Sequence, residues 1–275
     1  MKTLGLALGG GGARGLSHVL ALETIDACGV EPVVLSGTSM GAIIGALYAS
    51  GQSGEEIREG IDKHMITDED TFKDVIAKRA DLLKWLGAVR LEFGKGGLLR
   101  ADGFLGFLLE EIRATTFEEL KIPFHVVATD FWSGEPVVFN SGELLPAIKA
   151  SMAIPGVFSP VVFDGKVLVD GGVVNNLPYD IIADQCDDTI AIDVAPTRRP
   201  GSSHVPNMMD SVLGMFDILV EAAIESRMEK APPTIYVRPE LVDVRTLDFD
   251  KIESVYEQSR PAMAALKIEL EQLLQ

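Results

Sequence analysis

Apolar positions in this chain fall into two patterns. Short unbroken runs end at glycines, and longer stretches carry apolar residues every three or four positions. Thr3 to Leu8 and the run beginning at Val33 are of the first kind and predict buried strands. Leu16, Val19, Leu20, Leu22 and Ile25 keep helical spacing across Leu16 to Ala27, with Gly29 as the stop. A second helix, rich in Ala, Ile and Gly, follows Gly41. Further along, Glu55 to Lys63 predicts a helix, Phe124 to Phe131 and Pro136 to Phe139 two strands joined at Ser133-Gly134, and Leu144 to Ala153 a helix ended by Pro155. Lys166 to Asp170 reads as a short strand and Thr189 to Val194 as a last core strand, while Met208 to Met228 and Phe249 to Leu274 are helical. Arg198 to Pro206 reads as a flexible loop, a candidate gate.

One stretch is ambiguous. Leu82, Leu83, Trp85, Leu86, Val89 and Phe93 form an apolar stripe among Lys78, Arg79, Lys84, Arg90, Lys95 and Arg100, with a local charge of +4 over 78–100. A core-facing helix with a solvated basic face is the simpler reading. A cap over 65–115, hinged at Gly94 to Gly97 and meeting a lipid surface, is the alternative.

Composition narrows the classes. The 275 residues are 47% hydrophobic with no break in character, so one domain over 1–275 is expected, with the motifs in 4–196 and a helical part over 207–275. A formal charge of -17 speaks against a nucleic-acid partner. Cys28 and Cys186 are isolated, which fits a reducing compartment and offers no metal spacing. No apolar run approaches the roughly 18 residues of a spanning helix, and Met1 to Leu8 lacks the layout of a signal peptide. A soluble, cytoplasmic protein is expected, with at most transient contact with a membrane surface.

The chemistry starts at Gly37-Thr38-Ser39-Met40-Gly41, between a predicted strand and a predicted helix. A strand-turn-helix of this kind holds its central serine in a strained conformation, with small neighbours at Gly37 and Gly41 permitting close approach. Ser39 is therefore the candidate nucleophile, at a helix N-terminus carrying about half a positive charge. Gly9 to Gly15 end the first strand. Gly10, Gly12 and Gly15 match a dinucleotide fingerprint, but the second strand ends in Ser36-Gly37-Thr38 where a ribose-binding acid belongs. Arg14-Gly15 likewise replaces the Lys-Ser or Lys-Thr of a phosphate-binding loop. The remaining reading is an oxyanion hole from Gly10, Gly11 and Gly12, beside Ser39 because adjacent parallel strands end side by side. Arg14 either braces this loop or holds an anionic group.

Asp170, at a strand end before Gly171-Gly172, is the candidate base. Among His18, His64, His125 and His204 only His204 follows it, in the Ser, Asp, His order of α/β-hydrolases. Those folds place several strands before the nucleophile, whereas Ser39 follows the second. A Ser39–Asp170 dyad is the better reading, with the Asp basicity raised by exclusion of water.

Gly10 to Gly15, Gly37 to Gly41 and Asp170-Gly171-Gly172 together resemble the three signature motifs of the patatin-like phospholipase family, in order. Ala150 to Pro160 and Asn175 to Pro178 resemble segments of its bacterial branch similar to neuropathy target esterase. The resemblance implies a three-layer α/β/α fold with a mainly parallel sheet, the Ser39–Asp170 dyad, the glycine oxyanion hole, and hydrolysis of lipid acyl esters without metal or cofactor. An acyltransferase on the same dyad and a non-catalytic lipid-binding protein are the alternatives.

Overall fold

A computed structural model describes residues 2–66, 97–197, 205 and 208–275. Among them, eight strands form one mixed sheet: β1 (Leu4–Leu8), β2 (Val34–Thr38), β3 (Phe124–Asp130), β4 (Pro136–Phe139), β5 (Val161–Phe163), β6 (Lys166–Asp170), β7 (Asp188–Ile192) and β8 (Ile235–Val237). The hydrogen-bonded order is β5-β6-β3-β2-β1-β7-β8, with β4 also on β3. Contacts among β3, β2, β1, β7 and β8 are parallel, and those of β4, β5 and β6 antiparallel.

Side-chain alternation along the strands builds two cores. Leu4, Leu6 and Leu8 of β1, Leu35 of β2, and Ile190 and Ile192 of β7 share one core with α1 (Ser17–Ala27), α2 (Met40–Ala49) and α3 (Gly54–Ile66). Ala7, Val34 and Ala191 point the other way, toward Leu177, Tyr179 and Ile182. Strands buried on both faces need apolar residues at every position, hence the unbroken runs. The helix Gly97–Glu111, α4, sinks Phe104, Leu105, Leu108 and Leu109 into the first core, so the described end of the 65–115 segment is part of the main body. The basic stripe lies mostly in 67–96, and the 198–206 loop almost wholly, outside the described residues. α5 (Leu144–Ser151) packs on β3 and β6, α6 (Met208–Met228) covers the second core through Val220 and Ile224, and α7 (Ile252–Leu273) packs on α1. The result is a sheet between two helical layers.

One feature of the sheet positions the site. β2 pairs with β3 from Leu35 opposite Phe124 to Thr38 opposite Val127, and β6 pairs from Asp170 opposite Ala128 to Leu168 opposite Asp130. Leu35 N–H donates to the Pro123 carbonyl and Phe131 N–H to the Val167 carbonyl, whereas Asp130 N–H turns to Glu135 beside β4. Because successive residues of a strand bond to alternate sides, β2 and β6 lie along the same edge of β3. They run head-on, and their ends meet between Val127 and Ala128. No helix among the described residues is long and apolar enough to cross a membrane.

Candidate active site

Ser39 occupies the turn between β2 and α2 with φ 53° and ψ -119°, a left-handed conformation that costs a non-glycine residue about 1–3 kcal/mol. The turn is tight because α2 is pressed onto the sheet. A side chain on Gly41 would collide with the Leu8 carbonyl, and one on Gly37 with the Gly41 carbonyl. Ser39 N–H donates to Ser151 Oγ at 2.8 Å, so the last residue of α5 holds the Ser39 backbone.

The glycine loop follows β1, adjacent to β2. Gly9 N–H donates to the Ile192 carbonyl and Ala13 N–H to the Thr246 carbonyl, at 3.0 and 2.8 Å. Gly12 has φ +57°, and a side chain there would strike Thr246, so both geometry and space demand glycine. Gly15 lies against Met40. The three glycines expected to form an oxyanion hole are not equivalent: Gly10 N–H donates to the Asn176 carbonyl at 3.0 Å and is committed there. The Asn176 amide returns a bond to the Gly10 carbonyl at 2.9 Å, locking that residue onto the loop that follows Asp170. Gly11 and Gly12 line the same cavity as Ser39 and Asp170.

His18 Nε2 lies 2.7 Å from the Gly9 carbonyl. A carbonyl can only accept, so Nε2 carries the proton. Burial is the chief cause of its pKa falling to about 4, against the opposing pull of that bond, and His18 is neutral around pH 7. His125 bonds to Gln185. Arg14 is buried, with Nη2 on Asp217 Oδ1 at 2.9 Å and Nη1 on the Val244 carbonyl at 3.3 Å, which makes it a brace between the loop and α6. Asp193, just past the end of β7, accepts from Ala195 N–H and the Tyr236 hydroxyl.

Asp170 ends β6, where β6 meets β2. Its Oδ1 accepts Gly172 N–H at 2.7 Å, while Oδ2 is buried without a hydrogen-bond partner. Burial pushes its pKa up to about 7, and the Gly172 amide and the Ser39 hydroxyl hold it from going higher. The Ser39 hydroxyl is near enough to favour the carboxylate without closing a bond onto Oδ2. Gly171 is pressed on the Val127 carbonyl and Gly172 on Asp170 and Asn176. Thr38 Oγ1 to the Asn175 carbonyl and Ser36 Oγ to the Pro178 carbonyl tie this loop to β2.

Ser39, Asp170 and Gly10 to Gly12 thus line one cavity of about 30 Å³, with Arg14, Asn176 and Thr246 and, from α6, Leu213, Phe216, Asp217 and Val220. Sequence reasoning assigns no role to Asn176, Ser151 or these α6 residues. Asn176 sits in a motif visible in the sequence, but its partner is 166 residues away and no local pattern announces it.

Comparison with known proteins gives the family. Residues 6–183 match the family described as patatin-like phospholipase. An uncharacterized NTE family protein of Mycobacterium bovis is 32% identical over 235 residues, covering 81% of this chain and 60% of that protein. Lysophospholipase NTE1 of Kluyveromyces lactis is 26% identical over 280 residues, covering 93% of this chain and 18% of that protein. The chain therefore spans three fifths or less of the length of these relatives. Among solved structures, VipD from Legionella pneumophila aligns with a TM-score of 0.49 and 13% identity over 96% of this chain and 67% of that one. With a family match over most of its length and the three motifs on one sheet, the chain belongs to the patatin-like phospholipase family.

Proposed function

We propose that the chain is a serine acyl-ester hydrolase acting on lipids, with lysophospholipids or related long-chain esters as substrates. The observation that carries this reading is a strained, buried serine beside a buried carboxylate whose Oδ2 has no hydrogen-bond partner. Ser39 gives its hydroxyl proton to Asp170 Oδ2 as Oγ bonds to the ester carbonyl carbon. The oxyanion is received by the Gly11 and Gly12 amides, each such donor being worth about 3–4 kcal/mol. The carbon–oxygen bond to the alcohol breaks, and the alcohol leaves with the proton held by Asp170. Water then loses a proton to Asp170, attacks the acyl-enzyme, and releases the acid as Ser39 recovers its proton.

The family match and the name of the yeast relatives, lysophospholipase, support the lipid substrate class. The test is release of fatty acid from lysophosphatidylcholine and from a soluble p-nitrophenyl ester by the wild type and by Ser39→Ala. The reading requires both activities to vanish in the variant. Equal turnover by the variant refutes it, and lipid binding by a wild type that never turns over points to a binding protein. Diversion of the acyl group to an added alcohol would mark an acyltransferase.

A further inference from the structure

We propose that the outward face of α6 docks on the surface of a zwitterionic lipid aggregate, and that docking there uncovers the cavity beneath; this rests on the acyl-ester reading above. α6 has two working faces. Inward, Leu213, Phe216, Asp217 and Val220 roof the cavity that holds Ser39 and Asp170. Outward, Met208, Val212, Met215, Ile218 and Leu219 are exposed by 87, 43, 57, 51 and 61%. These residues recur at steps of three and four and so form one stripe. A helix covering a soluble protein ordinarily places charge there. Here no exposed position from Ser211 to Ala223 is charged. The acids of that span are drawn inward instead, Asp217 to Arg14 at 2.9 Å and Glu221 to Arg238 at 2.5 Å.

The cavity explains why the roof must respond to what lands on it. About 30 Å³ is room for a water molecule, whereas sites for lipid-sized ligands run to about 300–1,000 Å³. An acyl chain reaches Ser39 only if α6 shifts, and its outward stripe is where an aggregated substrate first touches that helix. Charge selects the occupant. A second copy would bring another net -17 against the first, with no exposed charge on this stripe to pair. An anionic lipid surface is disfavoured for the same reason. A zwitterionic surface requires only insertion of apolar side chains.

The experiment compares the full chain with a Met215→Asp/Leu219→Asp double variant and a Met215→Leu/Leu219→Met control. Neither position lines the cavity. Flotation with phosphatidylcholine vesicles reads docking, and p-nitrophenyl butyrate turnover reads the dyad without an interface. The wild type and the control should partition onto vesicles equally, with little change between about 0.1 M and about 1 M salt. The acidic variant should lose roughly tenfold or more in partitioning and in hydrolysis of micellar lysophosphatidylcholine, with soluble-ester turnover unchanged. Equal flotation of all three proteins, or no flotation of the wild type, overturns the proposal. So does a wild-type dimer that the acidic variant splits without altering vesicle binding. Absence of turnover on both the soluble ester and micellar lysophosphatidylcholine refutes the hydrolase reading alone, because flotation is read without catalysis.

Discussion

Replacing Asp170 with Asn should make the protein inactive and, above neutral pH, more stable. Asp170 is buried, and its pKa rises from an ordinary 3.8 to about 7 in the fold. Between those values the folded state holds a proton that the unfolded chain has released, so stability falls as pH rises through this range. The full loss is about 4 kcal/mol at 1.36 kcal/mol per unit, of which about 2 kcal/mol falls between pH 5.5 and pH 8.5. The amide of the Asp170→Asn variant is neutral throughout, retains an oxygen for Gly172 N–H, and escapes this loss. His18 acts oppositely: its pKa drops to about 4, so its contribution grows as pH rises from 4 to 6.5. Taking the difference between variant and wild type removes the His18 term. Urea denaturation of both proteins at the two pH values should show the variant gaining about 2 kcal/mol more at pH 8.5 than at pH 5.5. A difference independent of pH would refute the claim that Asp170 is held as a buried base of raised pKa.

With Asp170 as the proposed base, which accepts a proton only when ionised, kcat/KM for a soluble ester should rise with pH along a limb centred near 7. A limb centred near 4 would place the base elsewhere. Asn176→Ala should lower turnover about tenfold or more while costing about 1 kcal/mol, because one bond to the Gly10 carbonyl is lost while the backbone bond remains. Ser151→Ala leaves Ser39 N–H buried and unpaired, for a cost of about 1–3 kcal/mol in denaturation and a fall in acylation rate. Gly12→Ala, forced into a positive φ against the Thr246 carbonyl, should cost about 2–5 kcal/mol; a wild-type melting curve would contradict the close approach.

What the sequence made legible was local. Unbroken apolar runs marked β1, β2, β3, β6 and β7, and Gly37 to Gly41 marked the strained turn at Ser39. The parallel neighbours β1 and β2 followed from their alternation with helices, and with them the glycine loop beside Ser39. Long-range pairing was not legible. Nothing in Lys166 to Asp170 says that this strand runs antiparallel and meets β2 end to end, which is how Asp170 reaches Ser39. The commitment of Gly10 N–H to Asn176 is hidden likewise, since a run of glycines does not reveal which amide the rest of the fold will claim. Nor was the orientation of the 208–228 helix legible: Met208 and Met215 turn outward, and because both sides of that helix are apolar, periodicity could not choose between them.

The central claim is that Ser39 is the nucleophile and Asp170 its base, and covalent labelling tests it most directly. A fluorophosphonate probe on the folded wild type, read by mass spectrometry, should leave a single adduct on Ser39, none on Ser39→Ala, and one formed far more slowly on Asp170→Asn at pH 8. Labelling of Ser39→Ala at the wild-type rate, or of Asp170→Asn as fast as the wild type, would contradict the account.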